Sequence, residues 1–131
     1  MKRKKKDNRL SYPPAERKIS EMIWEFAGDF IRLGDTQGQK EARLIAVSNA
    51  WNIACNPPEH RQKLLDRYMT EYLRFNPDTD LANVPAMRRD VEMLVERKLK
   101  RFPKDLRQIV SAHLVPMGDK DRIEVVSART G

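Results

Sequence analysis

The sequence predicts a predominantly helical α+β fold, a four-helix core followed by a C-terminal β-hairpin. Three observations carry this. Apolar residues recur at three- and four-residue spacing through most of residues 19–102. Proline and glycine clusters cut that stretch into four segments of helical length. Beyond residue 107 β-branched residues become frequent, and Met117-Gly118-Asp119-Lys120-Asp121 supplies a turn signal.

The first helix is expected to begin near Pro13-Pro14, because proline suits the first helical turn. Ile19, Met22, Ile23, Phe26, Phe30 and Leu33 share one face, with Glu21, Glu25, Asp29 and Arg32 opposite. Gly34-Asp35 closes it, Gly34 being expected in the left-handed position after the last turn. Gly28 lies inside the pattern at a cost of about 1 kcal/mol relative to alanine, which points to close approach of another helix.

The second helix is expected over Gln39–Cys55. Ten of the fourteen residues from Ala42 to Cys55 are apolar, and they point nearly all round the helical wheel. Such a helix is covered from several sides, as the centre of the core or as a dimer seam. Asn56-Pro57-Pro58-Glu59 then stops and restarts the chain, with Asn56 as cap and Glu59 in the capping-box position. The third helix runs over Pro57–Phe75 with Leu64, Leu65, Tyr68, Met69, Tyr72 and Phe75 inward, and Asn76-Pro77-Asp78 ends it. The fourth starts between Asp80 and Ala86 and ends at Phe102 before Pro103, its stripe made of Val84, Met87, Val91, Leu94, Val95, Leu99 and Phe102. Strands are expected at Gln108–Pro116 and Arg122–Ala128, within a hairpin over about residues 108–128. A lone hairpin is marginal in water, so it must pack on the helices or pair with another chain. Pro116 has no N–H to donate and belongs at a strand end or edge.

A chain of 131 residues makes one domain, here residues 11–131 behind a basic tail at 1–10. The tail holds six basic residues against Asp7, so it supplies +5 of the net +7. Such a block repels itself and is expected to be disordered. No run of 18 apolar residues is present, so no membrane-spanning helix and no membrane partner are expected. No apolar stretch follows the basic start as a secretory signal requires, and the single cysteine forms no intrachain disulfide. A cytoplasmic location is the expectation.

Catalytic motifs are lacking. Cys55 and His60 straddle the double proline, and the apolar setting of Cys55 argues for an inert buried thiol. Two histidines and one cysteine match no zinc spacing, and no cofactor motif occurs. Glu92 and Glu96, interleaved with Arg89 and Lys100, read as a solvated charge ladder. Nucleic-acid binding has more support. Residues 40–75 have the element order of a helix-turn-helix, with Lys63, Arg67 and Arg74 on one outer stripe of the third helix. A second basic cluster comprises Arg97, Lys100, Arg101 and Lys104, while Lys98 falls near the apolar stripe and is expected to reach its amine out to water. Excess apolar surface points instead to association. Trp24 and Ile31 lie at the edge of the first helix's stripe and Met93 off that of the fourth, which makes these three the expected interface residues. The leading expectation is a non-catalytic binding or assembly module that acts through protein–protein interaction, with itself as a homodimer or with another protein. Nucleic-acid binding through the tail and a basic helix face comes second, and an enzyme of unidentified activity third.

Overall fold

The computed structural model describes residues 18–118 and 120–129. The basic tail, the helix start expected at Pro13-Pro14 and Asp119 lie outside the described residues. Four helices, α1 (Ile19–Arg32), α2 (Gln37–Ala54), α3 (Pro58–Phe75) and α4 (Val84–Arg101), precede an antiparallel hairpin of β1 (Arg107–Met117) and β2 (Lys120–Arg129). The predicted class is the observed one, a mainly helical α+β fold. A 3₁₀ turn, Leu81–Asn83, leads into α4, nucleated by the Asp80 carboxylate accepting from the Ala82 N–H.

α2 is the central element and packs against α1, α3, α4 and β1. Leu44, Val47, Ala50 and Trp51 are fully buried along it. Its wheel is not covered all round, however, since Ile45 is half exposed. A side-chain cap of capping-box type starts it, with the return bond made to the residue before the cap. The Thr36 hydroxyl accepts from the Gln39 N–H at 3.1 Å, and the Gln39 side-chain oxygen accepts from the Asp35 N–H at 2.7 Å. The box expected at Asn56 and Glu59 is not formed. Pro58 takes the first helical position, so the cap falls on Pro57, and Asn56 turns back to donate to the Asn52 carbonyl.

Both glycines in and after α1 allow close approach, but not as expected. A Cβ on Gly28 would meet Trp24 and Arg32 of the same helix at 3.0 Å. The hydrogen at this position lets the Arg32 guanidinium stack over the Trp24 ring, 4.7 Å from its centroid. Gly34 does not adopt a left-handed conformation, the only glycine with positive φ among the described residues being Gly118 at 66°. A Cβ on Gly34 would lie 2.8 Å from the Lys40 backbone nitrogen, so only glycine admits the start of α2 so close.

α1 is broken at Ala27, whose dihedrals (φ −147°, ψ 22°) leave the helical region. A break of this kind frees a carbonyl upstream that needs a new donor. Arg97 of α4 supplies it, donating to the Phe26 carbonyl and to the Asp29 carboxylate at 2.9 Å each.

The aromatic heart of the core joins three elements. Phe26 meets Trp51 edge-on at 5.4 Å, and Phe102 lies 5.8 Å from Trp51. Lys98 sits in this apolar setting, 1% exposed, with its amine 4.7 Å from the Trp51 ring centroid. It does not reach water as the sequence suggests. Its amine donates instead to the Phe102 and Asp105 carbonyls, where the chain leaves α4 for β1. These carbonyls have no helical partner, and a buried cation aimed at them satisfies both sides. Beside them, Asp105 and Arg107 form a buried ion pair. Burial pushes the Asp105 carboxyl up, but the hydrogen bonds from Arg107 outweigh it and hold it below the usual carboxylate value.

Lys98→Met keeps the unbranched apolar stem, one atom shorter, and removes the donor. Unfolding free energy should fall by about 2 kcal/mol in a urea titration followed by circular dichroism, because the Asp105 carbonyl loses its strong donor and the Phe102 carbonyl keeps only the Asp105 N–H. The Asp105 carboxyl is depressed in the folded chain, so its contribution is complete above the unfolded value of about 4 and is lost as pH falls through that range. Asp105→Asn should flatten the acid side of the stability–pH curve. An unchanged acid limb would show that other carboxylates set it.

Candidate interaction surfaces

The hairpin is the most asymmetric feature of the molecule, and its asymmetry starts with α2. Gln37, Glu41, Ile45, Ser48 and Asn52 follow one another at helical spacing and form a stripe along α2 beside β1. The Asn52 side chain acts as a substitute strand. Its oxygen accepts from the Ile109 N–H at 2.7 Å, and its amide donates to the Ile109 carbonyl at 2.8 Å. At the other end the Glu41 carboxylate accepts from the Leu114 N–H at 3.0 Å, and Gln37 donates to the Leu114 carbonyl. Trp51 adds a 2.7 Å bond from its indole N–H to the Arg107 carbonyl. Eleven helical residues and five strand residues each span about 16 Å, so the two anchor points coincide. Between them a groove of about 430 Å³ remains, lined by Ile45, Ser48, Val110 and Ala112.

Register then decides which backbone groups face outward. Ile109 pairs with Ser127 and Leu114 with Ile123. Because Ile109 and Leu114 turn their N–H and C=O groups toward α2, their partners turn theirs toward the opposite edge. One extra residue, Val110, separates the pair Ile109–Ser127 from Ser111–Val126. This bulge switches the alternation, so that Ile109 and Leu114 are both buried though five positions apart. It also leaves Val110 67% exposed beside Val126 at 57%. The buried side of the hairpin carries Ile109, Leu114 and Ile123.

β2 has no counterpart to the α2 stripe. α1 packs against it. Among the described residues none hydrogen-bonds the outward N–H and C=O groups of Ile123, Val125 and Ser127. On the open face Arg122 and Glu124 pair with each other, and His113 lies 3.6 Å from Glu41.

The expected interface residues fare differently. Ile31 is fully buried and is no contact surface, because the break at Ala27 rotates the last turns of α1 inward. Trp24 is half-buried beneath Arg32 and packs on the core. Met93 is 38% exposed and lines a shallow groove with Ile53 and Leu65. Residues that the sequence reading passed over are Asn52, Glu41, Gln37, Val110 and Val126. The polar stripe on α2 was a usable signal, since Asn52 stands out in an apolar run.

The basic residues divide in the same way. Lys63, Arg67 and Arg74 are exposed on α3, Arg74 lying over the Phe75 ring. Lys100, Arg101 and Lys104 are exposed where α4 ends. Arg97 is committed to α1, and Asp66, between Lys63 and Arg67, pairs with Arg88 of α4 at 2.6 Å. Phe102 is buried in the core and offers no stacking face.

Around Cys55, burial raises the thiol above its usual value despite the nearby Lys98 charge. Its sulfur faces the Asp105 and Arg107 carbonyls at 3.7 Å. His60 is exposed and makes no hydrogen bond to it. No group of three or more metal-ligating side chains converges among the described residues. No described helix is long and apolar enough to cross a membrane.

Asn52→Asp preserves shape and the acceptor for Ile109, but sets a carboxylate oxygen against the Ile109 carbonyl. It should destabilise the chain by about 1–3 kcal/mol and speed amide exchange in β1 ahead of α2. Uniform exchange across both elements would mean that the hairpin does not depend on this anchor. Compared with known families, characterised proteins and solved structures, the chain matches none.

Proposed function

We propose that this chain is a non-catalytic binding module that associates with a second copy of itself through β2. The unequal treatment of the two hairpin edges carries this reading. The outer edge of β1 is filled from α2 by Asn52, Glu41 and Gln37. On β2 the Asp121 side chain is held by Lys40, but the outward N–H and C=O groups of Ile123, Val125 and Ser127 receive no hydrogen bond from any described residue. A bare strand edge is a template for another strand, and proteins normally blunt or cover it.

A two-fold axis at Ile123 lays β2 antiparallel to its copy and turns two two-stranded sheets into one of four strands. In this register Arg122 of each chain stands opposite Glu124 of the other. The pair that closes within each strand is exchanged for one across the interface, two for two in the dimer. Val126 and Val110 add apolar surface on the open face of the same sheet.

The mass of the intact chain in light scattering should be twice 15.3 kDa at high concentration. Glu124→Arg places like charges opposite each other and should weaken the dimer about tenfold. Adding Arg122→Glu should restore it. Both positions are exposed, so folding is not at stake. A monomer at every concentration, or a dimer indifferent to both changes, overturns the reading.

A further inference from the structure

A cleft of about 420 Å³ opens on the side of the molecule formed by the end of α1 and by α2, α3 and α4. Its position follows from residue size. Ala42 and Ala46 stand one turn apart on α2 and present only small side chains to the space between the helices. Phe30 and Val91, both buried, make the floor. Tyr68 and Tyr72, half-buried on α3 with ring centroids 6.3 Å apart, make one wall. Met87 faces them from α4.

The charges around this apolar space are uneven. Arg43 reaches the cleft, but its guanidinium is already engaged. It donates to the Phe30 carbonyl at 3.2 Å and stacks over the Phe30 ring at 4.5 Å. Asp35 and Asp90 line the exposed rim, and neither forms an ion pair among the described residues. With Arg43 counted, the cleft still carries one net negative charge, from two rim carboxylates without an ion-pair partner among the described residues, in a chain whose net charge is +7.

We propose that this cleft binds a small organic cation, an amine carried on an apolar or aromatic body. The volume lies in the range of small-molecule sites, which combine apolar walls with a few polar groups. The body would rest on Phe30, Val91 and Met87. The ammonium would sit at the rim, between the tyrosine faces and the two carboxylates, where ring quadrupole and charge both favour a cation. The Tyr68 hydroxyl is pushed up to about 12 by burial, with Tyr72 adding to the effect, so the wall of the cleft is a neutral phenol ring. A carboxylate ligand of the same shape meets two like charges at the rim against the single cation of Arg43, and is disfavoured.

The test uses the intact chain and three probes with one phenyl body: phenethylamine, 2-phenylethanol and 3-phenylpropionate. Each is titrated while backbone amide resonances are followed by NMR. The amine should bind about tenfold tighter than the alcohol, with shifts centred on Tyr68, Tyr72, Met87 and Asp90. The acid should not bind. Asp35→Asn and Asp90→Asn, both at exposed positions, should each weaken the amine about threefold. Tyr72→Leu should weaken it further by removing a ring face. Equal affinity for amine and alcohol overturns the proposal, as do shifts centred outside the cleft or undiminished binding by the doubly neutralised variant. The cleft and β2 belong to different elements. Glu124→Arg should therefore leave amine binding unchanged, which separates this result from that on self-association.

Discussion

The fold depends on a helix standing in for a strand. Two strands alone do not hold together in water, and β1 would otherwise carry a second row of unmet backbone groups. α2 supplies those partners from side chains, at Asn52 near one end and at Gln37 and Glu41 near the other. Trp51 adds its indole N–H while packing against Phe26 and Phe102 in the aromatic core. The element that organises the helices is thus also the element that fixes the hairpin. This explains why α2 can be apolar round so much of its wheel and still carry a polar stripe.

A second constraint runs through the basic residues. Four cations in the folded part are spent on main-chain carbonyls at helix breaks and ends. Arg97 answers the break in α1, Arg43 takes the Phe30 carbonyl near its end, and Arg61 takes the Ala54 and Asn56 carbonyls after α2. Lys98 takes those of Phe102 and Asp105 after α4. Helix C-termini attract cations through their partial negative charge, and here the attraction is realised as direct donation. A high content of lysine and arginine is therefore partly architectural. Counting charge along the chain does not separate these internal donors from the exposed cations on α3 and at the end of α4.

The two proposed surfaces arise from opposite local causes. At β2 the backbone is left with capacity because a sheet of two strands has two edges and α2 can cover only one. At the cleft the side chains are left with space because small residues on α2 face larger ones on α3 and α4. The first selects for a strand, the second for a compact ligand with a charge. They draw on separate elements and can be gained or lost independently.

Periodicity and punctuation were enough to place four helices and a hairpin, because the 3.6-residue pattern, the proline breaks and the turn residues are local properties. The central position of α2 was also legible, since a helix apolar on most sides needs neighbours on most sides. Part of the candidate site was within reach of the same logic. The polar stripe ending at Asn52 is visible on a helical wheel, although what it bonds is not. Tertiary structure alone decided the rest. The bulge at Val110, which puts Ile109 and Leu114 on one face, depends on pairing with a strand elsewhere in the chain. The fate of Ile31, Arg97 and Lys98 turned on a break in α1 and on carbonyls left open where α4 gives way to β1. An amino-acid sequence displays its donors and charges, but an orphaned carbonyl exists only once the backbone has taken its path.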